Sequence, residues 1–112
     1  MRILPAALIA ALLVAAAPAA AATRNVKIGD DYYVRAGSPP TVRVVKGTTV
    51  RWNWRGDRQH NVVVRSGPTG FQSKLRRSGS YSRRMRRVGT YEIVCSIHQP
   101  DMAMTLRVRR RY

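Results

Sequence analysis

From Thr49 to Arg55 the chain alternates strictly, with Val50, Trp52 and Trp54 on one parity and Arg51, Asn53 and Arg55 on the other. A period of two sends successive side chains to opposite faces of an extended backbone, so this run predicts a strand with one apolar and one charged face. Such a strand must be covered by a second apolar layer. The rest of the chain supplies short segments of the same kind. They are Asn25 to Ile28, Tyr32 to Val34, Thr41 to Val45 with Val42 and Val44 inward, and His60 to Arg65 with Val62 and Val64 on the parity of His60. Tyr81 to Arg87 reads as an arginine-rich edge strand, a composition that blocks edge-to-edge pairing. Tyr91, Ile93 and Cys95 share a parity, as do Leu106 and Val108 in a last strand from Thr105. Gly, Pro and Ser clusters separate these runs, at Gly37 to Pro40, Lys46 to Thr48, Gly56 to Gln59, Ser66 to Gly70 and Arg76 to Ser80. Phe71 to Leu75 is a loop or a single helical turn, anchored by Phe71 and Leu75. The fold class that follows is all-β, a β-sandwich.

The first 22 residues read differently. Arg2 is a minimal basic start, Ile3 to Ala17 is apolar, and Pro18 to Ala22 offers small residues suited to cleavage. This pattern predicts a signal peptide over 1–22, cleaved rather than kept as an anchor, and a single domain over 23–112. The protein is then secreted or periplasmic. Without Arg2, 20 basic side chains face five acids, a charge of about +15. Charge of this size speaks to partners rather than fold: anionic membrane, cell wall, or proteins with acidic surfaces. No aromatic or helical readout motif accompanies it, so nucleic acid is not the expected partner. A single cysteine makes no internal disulfide, which leaves a free buried thiol, an intermolecular bridge or a metal ligand.

The metal reading draws strength from the neighbours of that cysteine. Cys95-Ser96-Ile97-His98-Gln99-Pro100-Asp101-Met102 packs a thiolate, an imidazole and a thioether into eight residues directly after an apolar run. The second histidine of the chain, His60, stands at the mouth of Val62-Val63-Val64 and comes alongside if those two strands are neighbours. Two imidazoles and a thiolate in a trigonal plane, with a weak axial thioether, are the ligands of a blue-copper centre. Taken singly, Cys95 is a small core hydrophobe, Met102 a gap-filler and His60 a surface residue. It is the joint spacing that favours a single copper ion. Both histidines are consumed by this site, so none is left for a second, catalytic copper, and no enzyme activity is expected.

Four stretches carry a family likeness. They are Val44-Val45-Lys46-Gly47-Thr48-Thr49-Val50-Arg51-Trp52, His60-Asn61-Val62, Phe71-Gln72-Ser73, and Val88-Gly89-Thr90-Tyr91-Glu92-Ile93-Val94-Cys95-Ser96-Ile97-His98. With these the chain resembles the plastocyanin-like cupredoxins, small secreted blue-copper proteins. The resemblance implies a two-sheet Greek-key sandwich with copper near one end, held by His60, Cys95, His98 and Met102. It implies further that Asn61 donates its backbone N–H to the cysteine sulfur and ties its side chain to Ser96, and that the ring edge of His98 is where electrons leave. Family members usually place two or four residues between the second histidine and the methionine; here there are three, with Met104 close behind. Met102 is preferred because strand parity aligns Leu106 and Val108 with the core, and Met104 then falls where the family often has a small residue. Val94 stands where plant-type relatives have a tyrosine facing an acidic docking patch, so that electron route is not carried over.

The expected function is that of a one-electron carrier, monomeric, passing electrons between donor and acceptor proteins with acidic docking surfaces. Two other readings use the same residues. Copper sequestration or delivery needs the same ligands and a metal that is handed on. A metal-free basic sandwich would bind anionic polymer or membrane through arginines such as Arg76, Arg77, Arg83, Arg84, Arg86 and Arg87.

Overall fold

Each strongly alternating run becomes a strand. The computed structural model describes residues 22–111, so the expected signal peptide lies, apart from Ala22, outside the described residues. Eight strands follow in order: β1 (Thr23–Gly29), β2 (Tyr32–Tyr33), β3 (Thr41–Val45), β4 (Thr49–Trp54), β5 (Val63–Ser66), β6 (Ser80–Arg84), β7 (Gly89–Val94) and β8 (Ala103–Arg109). They form two four-stranded sheets, ordered β2-β1-β4-β6 and β3-β8-β7-β5. The pairs β1/β4 and β3/β8 are parallel and the other pairs antiparallel. The chain therefore crosses between sheets after β2, β3, β4, β5 and β6, the signature of a Greek-key sandwich rather than a meander.

The inner faces are those the alternation assigns. Val50, Trp52 and Trp54 of β4, Val42 and Val44 of β3, Tyr91 and Ile93 of β7 and Leu106 and Val108 of β8 are all buried. Trp52 meets Tyr81 of β6 at 5.9 Å and Phe71 at 6.0 Å between ring centroids, and Phe71 meets Tyr91 of the opposite sheet at 6.2 Å. This aromatic group closes the side of the sandwich between the sheets; removing an indole or phenyl of this kind typically costs about 3–5 kcal/mol.

Three details depart from the expected pattern. The strand expected over His60 to Arg65 begins only at Val63. Val62 instead bonds Ser73, its N–H to the hydroxyl at 2.9 Å and its carbonyl to the Ser73 N–H at 2.8 Å, while His60 pairs through its backbone with Arg76. Residues 71 to 76 therefore run extended beside 60 to 64, with no helical turn, and Leu75, level with the rim, is 42% exposed rather than anchored. Finally, β6 stops at Arg84, because the backbone of Met85 turns to bond Thr48 and Gly47, leaving Arg86 and Arg87 outside the sheet.

Candidate metal centre

The register of the β7–β8 hairpin fixes one half of the site. Val94 pairs with Ala103, so the eight residues Cys95 to Met102 form the connecting loop. Three backbone bonds close it: Cys95 N–H to the Met102 carbonyl (3.1 Å), His98 N–H to the Cys95 carbonyl (3.1 Å), and Met102 N–H to the His98 carbonyl (2.9 Å). The ladder thus continues one step past the strands and sets Cys95 opposite Met102. Directly opposed residues of an antiparallel pair share a face, with Cβ atoms about 4.5–5.5 Å apart. Met104 is opposite Ile93, one pleat further into the core. Cys95, Met102 and Met104 are all fully buried.

The other half is the segment His60 to Val62, which reaches the loop because β5 lies beside β7. Side chains of the first sheet hold its backbone. Trp54 donates its indole N–H to the His60 carbonyl at 3.0 Å, and the Tyr33 hydroxyl donates to the Asn61 carbonyl at 2.6 Å. Burial pushes the Tyr33 phenol far above its ordinary range, with the nearby Cys95 adding to the effect. Asn61 in turn bridges to the loop, accepting from the Ser96 N–H at 2.8 Å and donating to the Ser96 hydroxyl at 2.9 Å. This is the Asn61–Ser96 tie that the family likeness implies.

These supports bring His60, Cys95 and His98 together, with one donor atom of each within 4.8 Å of the other two. The Cys95 sulfur is 3.6 Å from Nδ1 of His98, and the two imidazole centroids are 5.1 Å apart. The far nitrogens of both rings face carboxylates: Nε2 of His60 is 3.2 Å from Asp30, and Nε2 of His98 is 3.3 Å from Asp31. The His60 contact is a hydrogen bond, and because a carboxylate only accepts, Nε2 of His60 carries the proton and its Nδ1 presents a lone pair; Asp31 sets its charge close to Nε2 of His98. Nδ1 of His60 is buried and has no hydrogen-bond partner. A buried polar atom left without a partner is costly, and a metal ion would relieve it.

The spacing fits such an ion. Nitrogen and thiolate ligands lie about 2.0–2.1 and 2.3 Å from a first-row divalent metal, so a pair at about 120° is separated by about 3.7 Å. The sulfur and Nδ1 of His98, 3.6 Å apart, stand close to that separation. Ring nitrogens with a thiolate suit copper. Met102 is the thioether that the loop geometry sets beside the thiolate.

The residues missed from sequence are Asp30, Asp31, Tyr33 and Trp54. Asp30 and Asp31 fall in the break before the short segment Tyr32 to Val34 that holds Tyr33, and Trp54 lies on an apolar strand face. The available signal was compositional: two adjacent acids are conspicuous in a chain with only five. Asp30 also accepts the backbone N–H groups of Asp57 and Arg58 at 2.9 to 3.1 Å. These bonds, and the one to His60, hold its carboxyl down to about 2.

No protein-family model matches the chain. It is 30% identical over 96 residues to plastocyanin from Prochlorothrix hollandica, covering 79% of this chain and 73% of that protein. Among solved structures it is similar to a methionine-to-alanine variant of amicyanin in its Cu(I) form, at 26% identity with a TM-score of 0.66, covering 82% of this chain and 87% of that one. The same fold recurs in a copper-containing nitrite reductase from Thermus scotoductus, at 22% identity and a TM-score of 0.69, over 90% of this chain and 25% of the reductase.

Proposed function

The chain belongs to the plastocyanin-like cupredoxins, and on that footing we propose that it is a type 1 (blue) copper protein carrying one electron at a time outside the cytoplasm. His60, Cys95 and His98 are the strong ligands in this reading and Met102 the weak axial one. The observation that carries it is the unpartnered, buried Nδ1 of His60 in a cluster with one thiol and a second imidazole. Bound there, copper supplies a Cu(I)/Cu(II) couple, with sulfur favouring the reduced state and imidazole serving both.

The chain's own part is to keep one ligand arrangement through both states. The three loop bonds, the Asn61–Ser96 tie and the Tyr33 and Trp54 bonds hold the ligand backbones from both sheets. Cys95 and His60 are sealed from solvent, while the His98 side chain is 29% exposed, so its ring is the exit for the electron. A shallow cleft beside it is lined by Asp57, Arg58, Gln59, Arg77 and Ile97. Arg77, beside the exposed Ile97, suits a redox partner with an acidic surface, Arg58 being already paired with Asp31. Export rests on the apolar residues 1–22, and the protein works as a monomer, with the basic outer strands free for loose contact with anionic membrane or wall.

Adding Cu(II) to the purified protein should produce an intense visible thiolate-to-copper band that survives repeated reduction and reoxidation. Cys95→Ser should abolish it. Loss of metal to an acceptor on the first reduction would favour copper delivery. Salt-sensitive binding to anionic polymer, with no band, would favour the metal-free sandwich. Met102→Leu should keep copper and shift the potential, whereas Met104→Leu should cost under about 1.5 kcal/mol of stability and leave the potential alone.

A further inference from the structure

The turn between β1 and β2 has no part in the electron path, yet both of its acidic side chains end on the metal cluster. In a strand, successive side chains face opposite sides. Here Asp31 adopts φ 71°, a left-handed conformation that Asp tolerates better than most residues, and both neighbours reach the same site. Asp30 meets Nε2 of His60 at 3.2 Å and is itself fixed by the N–H groups of Asp57 and Arg58. A Cβ on Gly56 would fall on the Asp30 carboxylate, so this close approach depends on glycine. Asp31 meets Nε2 of His98 through one oxygen at 3.3 Å and Nη1 of Arg58 through the other, also at 3.3 Å.

We propose that Asp30 and Asp31 are positioning residues of the metal centre, Asp30 by accepting the Nε2–H of His60 so that this ring offers Nδ1, and Asp31 by setting its charge beside Nε2 of His98, so that the oxidised metal is favoured over the reduced. Carboxylates behind ligand imidazoles orient the rings and make them stronger donors. Two negative charges one ring away also stabilise the more highly charged metal. The inference rests on the copper reading. It adds a role for a turn whose chain position, some thirty residues before His60 and nearly seventy before His98, gives no hint of it.

The test uses the full domain with Asp30→Asn, Asp31→Asn and Asp31→Ala, and with Asp57→Asn as a charge control. Asp57 meets this network through its backbone N–H alone. Asp31→Asn and Asp30→Asn should raise the reduction potential with the visible band retained, and Asp31→Ala should weaken Cu(II) binding by about 10–100-fold with a smaller loss for Cu(I). Asp57→Asn should move the potential far less. In the metal-free protein, nitrogen NMR should find His60 protonated at Nε2. Potentials for the Asp30 and Asp31 variants that match the parent or Asp57→Asn would overturn the inference, as would an Nδ1–H tautomer of His60 in the parent. A parent lacking the thiolate band would overturn the copper reading and this one with it; a band with unmoved potentials overturns this one alone. Should Asp30→Asn fail to fold, Asp31→Asn decides.

Discussion

In the proposed copper site His60 and His98 have the same chemical task but very different surroundings. His60 has 1% of its side chain exposed; its carbonyl and amide are bonded to Trp54 and Arg76, and its far nitrogen meets a carboxylate that two backbone N–H groups fix. His98 is 29% exposed, rides on a hairpin loop, and leans on Asp31, which is paired only with the solvent-facing Arg58. One imidazole is part of the wall and the other is part of the surface. The difference teaches how a small sandwich can combine a rigid ligand frame with an electron exit: rigidity enters from the mid-chain side and access from the C-terminal side.

The sharpest way to break this contrast is to delete each ring. His98→Gly should leave a solvent-open gap that added imidazole fills, restoring the visible band, whereas His60→Gly should lose the band irrecoverably. Equal rescue of both would erase the distinction. Next in size is the tie between the two sides. Asn61→Ala strips both part-buried hydrogen bonds to Ser96, so denaturant unfolding should show a loss of about 1–3 kcal/mol, with faster escape of copper.

The smallest expected effect concerns the wall alone. Tyr33→Phe removes the bond to the Asn61 carbonyl and should cost about 1 kcal/mol. Tyr33 also gives the wall a signature in alkali. Its phenol is raised above the ordinary value of 10 by burial, so the unfolded chain releases this proton first. The stability Tyr33 contributes is therefore complete below pH 10 and declines as pH rises above it. Ultraviolet titration of the five tyrosines should show one that ionises only with unfolding, and that step should vanish in Tyr33→Phe.

The sheet-forming part of the molecule was plain in the sequence because burial on one face imposes a period of two, and Val50 to Trp54 obey it without exception. The candidate ligand loop was equally conspicuous, since Cys95, His98 and Met102 are local in the chain. What local patterning does not carry is pairing at long range. The segment 60 to 62 was mistaken for strand because its backbone partners are Ser73 and Arg76, and a side-chain hydroxyl takes the place of a ladder bond at Val62. Leu75 was mistaken for an anchor because its spacing from Phe71 says nothing about where the sandwich ends. Asp30 and Asp31 stayed hidden for a third reason: a turn made of acids is ordinary, and only the closing of β1 against β4 delivers them to the imidazoles.

The burial of Cys95 has a consequence for the newly folded protein that still awaits its metal. The thiol is inaccessible, so neither a second copy nor a dissolved disulfide can capture it. On the proposed copper reading, the exposed ring of His98 is the first ligand an arriving ion meets, with sulfur and the innermost ring behind it. The doorway that lets charge out is on this view also the loading dock.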